Sequence, residues 1–348
     1  MFSADMGSSE STPPPPPPPP PQSPPPHPSP PPAPPSPCLR QPWRQLTESS
    51  GDIIRYLGAY HPRNAQFSHL RVLLHGPVGA GKSSFINSVD SALRGRVTGR
   101  AATDATSGRS YTLEYKTYKI EKQASSFYSV VFNDIMGLED NLDNGVQVDD
   151  VKLAMKGHVR EKHKFNPQNP LSERDFGYNP DPTLDDKVHV LVCVVPVDTV
   201  SLLSDGVVQK LRQVRLAARD QGIPQFAILT KVDQACPEVG RDIRNIHKSK
   251  YLKKQVEQFS VLLGIPVNCI FLVKNYESES STSEDISRPI LTALKQMVNY
   301  GEDYVNDINS NSNSNSFRST SYTYEYHEEL YINTEGPGEE ERMRRHWS

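Results

Sequence analysis

Hydrophobic residues fall in short runs through the middle of the chain, with amphipathic stretches between them, and are scarce at both ends. The apolar runs predict six strands, at 70–75, 113–121, 127–133, 188–195, 225–229 and 267–273. The polar link 122–126 is short enough to join the second and third strands as a hairpin. The other four runs show little polar alternation, which is typical of parallel strands covered on both faces.

Helical periodicity falls between these runs. Apolar residues at 85, 86, 89 and 93 share one helix face, and so do those at 286, 290, 294 and 297. Further helices are predicted at 203–220 and within 237–263. Strands that alternate with helices in this way predict an α/β domain of three layers, with a mostly parallel sheet and one antiparallel hairpin strand.

Both ends of the chain are poor in residues that can form a core. Positions 13–21 are nine consecutive prolines in a proline-rich stretch that continues to 37 and favours an extended polyproline II conformation. We interpret it either as a spacer or as a ligand for profilin, SH3, WW or EVH1 modules. After 305 the chain enters an Asn-Ser alternation that cannot bury apolar surface. We predict disordered tails at 1–42 and 305–348 around one domain at 43–304.

A polar insertion at about 140–187 interrupts this domain. It contains four prolines and a segment near 151–159 that favours a helix. Connections this long inside a compact domain are usually functional or partly disordered.

Composition excludes several function classes. The formal net charge of -3 gives no electrostatic basis for binding nucleic acid or acidic membrane. The four cysteines lack the paired spacing of a disulfide framework or a zinc site. The longest apolar run, 188–196, is too short to span a bilayer. These features predict a soluble protein of the cytoplasm.

The sequence GPVGAGKS at 76–83 matches the phosphate-binding pattern G-x-x-x-x-G-K-[ST], and it lies between a predicted strand and a predicted helix. Glycines allow main-chain amides to approach phosphates at the positive end of the helix. Lys82 would reach the β- and γ-phosphates, which makes it the predicted catalytic residue. The predicted nucleotide contacts of this loop are Gly76, Val78, Gly79, Ala80, Gly81, Lys82, Ser83 and Ser84.

A metal site is predicted beside this loop. Asp134 and Gly137 form a D-x-x-G pattern directly after the third predicted strand. Asp134 would hold Mg²⁺ through water, Ser83 would bind it through its hydroxyl, and the Gly137 amide would contact the γ-phosphate. A threonine of the first switch loop should complete the coordination. We choose Thr106, with Thr103 and Thr112 as the alternatives.

A third pattern, Thr230-Lys231-Val232-Asp233, follows the fifth predicted strand. It resembles the element with which GTPases read guanine, in which the carboxylate accepts from the ring N–H and the exocyclic amine. Adenine offers no such donor pair, so Asp233 predicts GTP or GDP as the ligand. Lys231 would lie along the base. The segment Val273-Lys274-Asn275, after the last strand, is assigned to the guanine O6 by its position alone.

The chain resembles the interferon-induced 44-kilodalton protein family of P-loop GTPase-like proteins. The resemblance covers about 43–300 and depends on LLHGPVGAGKSSFINSV, SYTLEYKTYKI, NDIMGLE, LTKVD and LVKNY. It implies a Ras-like P-loop fold and a cytoplasmic protein of the innate antiviral response that binds guanine nucleotide. The proline-rich head and the tyrosine-bearing tail lie outside the resemblance.

Two residues argue against ordinary GTP hydrolysis. Leu138 stands where Ras-type enzymes place a water-orienting glutamine, and Val78 stands where they have glycine. Another group would have to supply that function, from 139–143, the insertion, a second subunit or a partner. Three hypotheses remain: a switch or slow GTPase, a scaffold that holds nucleotide statically, and an ATP-using enzyme that shares only the phosphate loop. Nucleotide-dependent self-association is compatible with the first two.

Overall fold

The computed structural model describes residues 36–101, 114–123, 126–140 and 145–314, with side chains as far as 308. Residues 1–35 of the proline-rich end, the region from 315 onward and the three candidate switch threonines lie outside these residues. No helix in the described part of the chain is both long enough and apolar enough to cross a membrane.

A six-stranded sheet forms the centre of the domain, in the order β2-β3-β1-β4-β5-β6. Every neighbouring pair is parallel except β2 and β3, which form the predicted antiparallel hairpin. This arrangement confirms the predicted fold class, a Ras-like P-loop NTPase domain. The strands are β1 Leu70–His75, β2 Lys116–Gln123, β3 Ser126–Asp134, β4 Val190–Pro196, β5 Gln225–Thr230 and β6 Ile270–Leu272.

Helices cover both faces of the sheet. On one face α2 and α1 pack against α8, and on the other α4 packs against α3 and α7. The core between these layers is built from the apolar residues of β1, β4 and β5, which are buried along nearly their whole length. The helices are α1 Ser50–Ala59, α2 Lys82–Arg94, α3 Val148–Met155, α4 Asp205–Asp220, α5 Val232–Ala235, α6 Pro237–Arg241, α7 Lys250–Leu263 and α8 Glu284–Ser314.

Helix α1 lies in a lead-in for which the sequence predicted no element. It buries Ser50, Ile53 and Leu57, too few apolar positions for a clear periodic signal. The Ser49 hydroxyl caps its first turn by accepting from the Asp52 amide. Long-range contacts with α8 then hold the helix in place, among them a 2.8 Å bond from the Tyr56 hydroxyl to Asn299.

Two strands begin three residues later than predicted. Strand β2 begins at Lys116 instead of 113, because Glu114 forms an isolated bridge with Lys164 of the insertion. Strand β6 begins at Ile270 instead of 267, because the chain makes a short 3₁₀ turn over Val267–Cys269 after Pro266. In both places a contact or turn that the apolar pattern does not encode replaces sheet pairing.

The described part of the insertion, from 145 onward, packs against the sheet. Its helix ends at Met155, before the predicted end near 159, because Gly157 adopts a φ of 84° and Val159 then pairs with Tyr178. Farther along, Asp185 accepts from both the amide and the hydroxyl of Ser68, which precedes β1. Near its start, the Val146 amide donates to the Gly137 carbonyl at 3.0 Å, so the insertion is tied to the domain at both ends of its described length.

Candidate nucleotide-binding site

The phosphate loop joins β1 to α2 at the carboxyl edge of the sheet, and its main chain is held open by glycine. Gly76 has a φ of 140°, and a Cβ there would lie 2.1 Å from the Val194 carbonyl oxygen of β4. Gly79 has a φ of 72°, and a Cβ there would meet no atom within 4 Å. A larger residue would clash with β4 at the first position. At the second its backbone conformation would be strained, and glycine also leaves the surface bare for a ligand.

Lys82 begins α2 and folds back over the loop. Its ammonium donates to the carbonyl oxygens of Gly76 at 3.2 Å and Pro77 at 3.0 Å, and the side chain is only 7% exposed. Burial lowers the pKa of Lys82, while the Asp134 carboxylate opposes that shift. The positive charge is thus held next to the main-chain amides, where a polyphosphate would need it.

Two neutral groups lie beneath this lysine. His75 and Cys193 are register partners on β1 and β4. Burial lowers the pKa of His75 to about 3 and raises the pKa of Cys193 to about 12. Both side chains are therefore uncharged near pH 7, so neither attracts nor repels the Lys82 ammonium as an ion would.

Ser83 and Asp134 come together at the mouth of the loop. Strand β3 runs parallel to β1, with Asp134 in register with Leu74, so its carboxylate reaches the first turn of α2. The Ser83 hydroxyl donates to Asp134 Oδ2 at 2.5 Å, and Asp134 is fully buried. A hydroxyl and a carboxylate are hard oxygen ligands of the kind that Mg²⁺ takes beside phosphate, so the residues fit that ion. Thr106, the third predicted ligand, lies outside the described residues.

The D-x-x-G segment is closed against the phosphate loop. The Leu138 amide donates to the Gly76 carbonyl at 3.0 Å. A Cβ at Gly137 would lie only 2.5 Å from Val78 Cγ2 and 2.7 Å from the Val78 nitrogen. Leu138 itself is 1% exposed. Its side chain therefore belongs to the core, and the contact between Val78 and Gly137 accounts for the glycine at the end of this motif.

The guanine-reading element is attached to the same loop. The Thr230 hydroxyl, fully buried at the end of β5, donates to the Ala80 carbonyl at 2.7 Å. Lys231 then takes a φ of 57°, and α5 begins directly after it. Asp233 lies in the first turn of α5 and retains 24% side-chain exposure, so its carboxylate is accessible at the edge of the site.

The segment after β6, predicted by its position alone, also reaches the site. Asn275 Nδ2 donates to the Gly81 carbonyl at 3.3 Å, while Asn275 Oδ1 is buried and lacks a hydrogen bond within the described structure. The Lys274 ammonium lies 3.5 Å from the Asp233 carboxylate. Val273 is fully buried, with its amide bound to Leu229, so its side chain faces the core.

Sequence reasoning missed Glu279. Its carboxylate lies 2.7 Å from the Lys274 ammonium. Burial lowers the pKa of Lys274, but the hydrogen bond to Glu279 and the charge of Asp233 raise it above its usual value. Glu279 lies in a polar, serine-rich loop that carries no periodic or motif signal. Only its position in the folded structure identifies it as a residue of the site.

The structure thus brings the three motifs and the last loop to one edge of the sheet. Within the described ranges, no group of three or more His, Cys, Asp or Glu side chains could hold a metal by itself.

Comparison with known proteins finds relatives among the interferon-induced proteins. No family model matches the chain. It is 34% identical to human interferon-induced protein 44-like over 254 residues, which are 72% of this chain and 55% of that protein. It is 30% identical to mouse interferon-induced protein 44 over 258 residues, which are 74% of this chain and 60% of that protein. Against human interferon-induced protein 44 the identity is 28% over 257 residues, 74% of this chain and 57% of that protein.

The chain therefore spans somewhat more than half the length of the curated relatives that it matches. Among solved structures, it resembles that of Toc33 from Arabidopsis thaliana in complex with GDP and Mg²⁺. The TM-score is 0.41 at 14% identity, over 73% of this chain and 92% of that one. Over the region matched by the curated relatives, this chain belongs to the interferon-induced protein 44 family.

Proposed function

We propose that this protein binds GTP and GDP together with Mg²⁺ at the edge of its sheet. It acts in the cytoplasm as a nucleotide-dependent switch, or slow GTPase, of the interferon-induced antiviral response. The relatives' names support the link to interferon, and the motif residues support the ligand.

One observation carries the proposal: the base-reading loops are hydrogen-bonded to the phosphate loop. Thr230 donates to Ala80 and Asn275 donates to Gly81, across sequence separations of 150 and 194 residues. The contacts with base and phosphate would therefore be held at a fixed spacing before the ligand arrives. A ligand that has a purine at one end and a polyphosphate at the other fits that spacing.

Mg²⁺ would be held by Ser83, Asp134 and Thr106 together with phosphate oxygens. Its chemistry would be to neutralise phosphate charge beside Lys82. The short bond between Ser83 and Asp134 already places two of these oxygens next to each other.

Slow hydrolysis is proposed because Leu138 takes the position of the usual glutamine and cannot orient a water molecule. Leu138 is buried in the core, and Val78 fills the space against Gly137. The second candidate function, a scaffold that holds nucleotide without turnover, is favoured by the same closed contact. Single-turnover assays distinguish the two, because phosphate release from bound GTP above the buffer rate supports the slow GTPase.

Nucleotide binding is tested first on the purified chain. The bound nucleotide is released and identified by base and phosphate number, and labelled GDP is titrated onto the emptied protein. We expect Lys82→Ala to weaken binding at least a hundredfold, whereas Lys254→Ala, at an exposed helix position, leaves it unchanged. Equal affinity of the Lys82 variant and the parent would overturn the proposal.

Base identity is tested at Asp233. We expect Asp233→Asn to lose guanine nucleotides and to gain xanthine nucleotides, since the amide donates where the carboxylate accepted. Asp220→Asn, on the exposed end of α4, is the matched control. An unchanged preference at Asp233 would favour the third hypothesis, an ATP-using enzyme.

The remaining proposals concern partners. The proline-rich stretch is proposed to bind profilin or SH3, WW or EVH1 modules, and the nucleotide state is proposed to control self-association. Deletion of 13–37 tests the first, and sedimentation in GDP and in a GTP analogue tests the second.

A further inference from the structure

A second cleft lies away from the nucleotide site, between α1, the end of α2 and the β2–β3 hairpin. It encloses about 960 Å³. Arg55, Arg94, Arg96 and Lys122 line it, against one acidic residue, Glu121. Such an excess of cationic side chains around one concave surface favours an anionic occupant.

Some basic side chains of this cleft are paired with an acidic side chain, and others are not. Arg94 pairs at 2.8 Å with both Asp90 and Glu121, and Arg55 pairs at 3.0 Å with Asp52. Arg96 and Lys122, by contrast, form no ion pair within the described structure. Lys122 donates only to the Gly58 carbonyl. Two exposed charges are therefore left for a partner.

Apolar and aromatic groups lie among these charges. Ile54 and Leu93 line the same cleft, and Tyr128 is 8% exposed, with no hydrogen bond from its hydroxyl within the described part of the structure. A small inorganic anion would use none of them. A peptide that carries both carboxylates and aromatic side chains would use all of them.

The chain contains such a peptide. Positions 319–341 hold seven glutamates and four tyrosines, with no lysine, arginine or aspartate. We propose that this acidic segment, which lies outside the described residues, docks in the basic cleft of its own chain.

The tail is long enough to reach. Ala59 lines the cleft, and the hydroxyl of the next residue, Tyr60, donates to Glu302 of α8 at 2.6 Å. From Glu302 the helix continues to Ser314, a rise of about 18 Å. The eleven residues that follow, up to Glu325, span as much as about 36 Å when extended, so the glutamates can return past the end of α1.

The test uses a labelled synthetic peptide of residues 319–341 and four full-length proteins. These are the parent, a tail-neutral chain whose seven glutamates are glutamine, and the tail-neutral chain with Arg55→Glu and Arg96→Glu. The fourth carries Arg219→Glu and Arg244→Glu instead, at two arginines that are 61% and 71% exposed elsewhere on the surface.

We expect the tail-neutral chain to bind the peptide and the parent to bind it more weakly. A tether holds its own ligand at about 1 mM, so a peptide with a Kd of about 0.1 mM would bind the parent about tenfold more weakly. The variant with Arg55→Glu and Arg96→Glu should lose at least tenfold relative to the tail-neutral chain, and the surface control should lose nothing. Binding should weaken as salt rises from 50 to 300 mM, about the range over which screening takes effect.

Three results would overturn the docking: no binding to the tail-neutral chain at 50 mM salt, equal binding to it and to the parent, or equal loss in the surface control. The second would mean that the cleft serves an acidic segment of another protein.

Hydrogen exchange tests the docking without any added peptide. Amides of 54–59 should be better protected in the parent than in the tail-neutral chain, and equal protection would also contradict the proposal.

Discussion

The hydrogen bond from Thr230 to Ala80 offers the sharpest test of how this site is held together. The Thr230 hydroxyl is fully buried and donates to the Ala80 carbonyl at 2.7 Å, joining the end of β5 to the phosphate loop. Thr230→Val replaces this hydroxyl by a methyl group of nearly the same size. The change therefore removes one donor and leaves the packing nearly intact.

The expected cost follows from that geometry. Ala80 is fully buried, so its carbonyl loses its partner without gaining water. Leaving a buried acceptor unsatisfied costs about 1–3 kcal/mol. If the same bond holds the two loops at the spacing that the ligand needs, part of this cost lowers the affinity for nucleotide. A loss of about 1.4 kcal/mol there would raise the Kd for GDP tenfold.

Two measurements separate these effects. Urea unfolding without nucleotide gives the change in stability, and titration with labelled GDP gives the change in affinity. Thr230→Ser, which keeps the hydroxyl and removes only the methyl group, is the matched control and should retain most of the affinity. Were Thr230→Val to match the parent within 0.5 kcal/mol in both assays, the bond would not organise the site.

Three further predictions concern the phosphate loop and the insertion. Ser83→Ala removes the hydroxyl 2.5 Å from Asp134 and should abolish the tightening of GDP binding by Mg²⁺, measured against EDTA, whereas Ser84→Ala should not. Gly137→Ala places a Cβ 2.7 Å from the Val78 nitrogen and should cost about 1–3 kcal/mol in urea unfolding, which adding Val78→Ala cannot restore because the clash with the main chain remains. Burial raises the pKa of Asp150 from 3.8 to about 6, so its contribution to stability is present below pH 3.8 and lost as the pH rises through 6. The stability of Asp150→Asn relative to the parent should therefore rise between pH 3.8 and about 6 and then stay level, and a pH-independent difference in urea unfolding would refute this.

The centre of the fold is readable from sequence because buried parallel strands are continuous apolar runs. Leu70–His75 was predicted with its observed bounds, since Gly76 ends it with a conformation that a strand cannot continue. Elements that depend on distant contacts were not predictable in this way. Helix α1 has three buried positions of its own, and its remaining support comes from α8, more than 200 residues away in the chain.

In the candidate site, too, some residues could be predicted from the sequence and others could not. Lys82, Asp134 and Asp233 stand in motifs whose spacing follows from the shape of a nucleotide, so the sequence alone points to them. The bond from Asn275 to Gly81 and the pair of Lys274 with Glu279 have no local pattern. Hydrogen bonds between loops depend on where the strands end in space, and only the folded sheet sets that.

The closed D-x-x-G segment bears on what kind of switch this protein is proposed to be. Leu138 lies in the core, and its amide is bound to the Gly76 carbonyl, so the motif is anchored through main chain and packing. A γ-phosphate that engages the Gly137 amide would have to act on a segment already in contact with Val78. Binding of GTP would then work against that contact, because a ligand shifts an equilibrium only by its differential affinity for the two states.

Because Leu138 stands in place of the glutamine that speeds hydrolysis, the proposed signal is the nucleotide-bound state and its lifetime, more than the rate of turnover. Parallel measurement of GDP and GTP-analogue affinity in the parent and in Val78→Gly tests this. We expect the variant to gain affinity for the triphosphate alone, and an equal gain for both nucleotides would show that Val78 does not distinguish them.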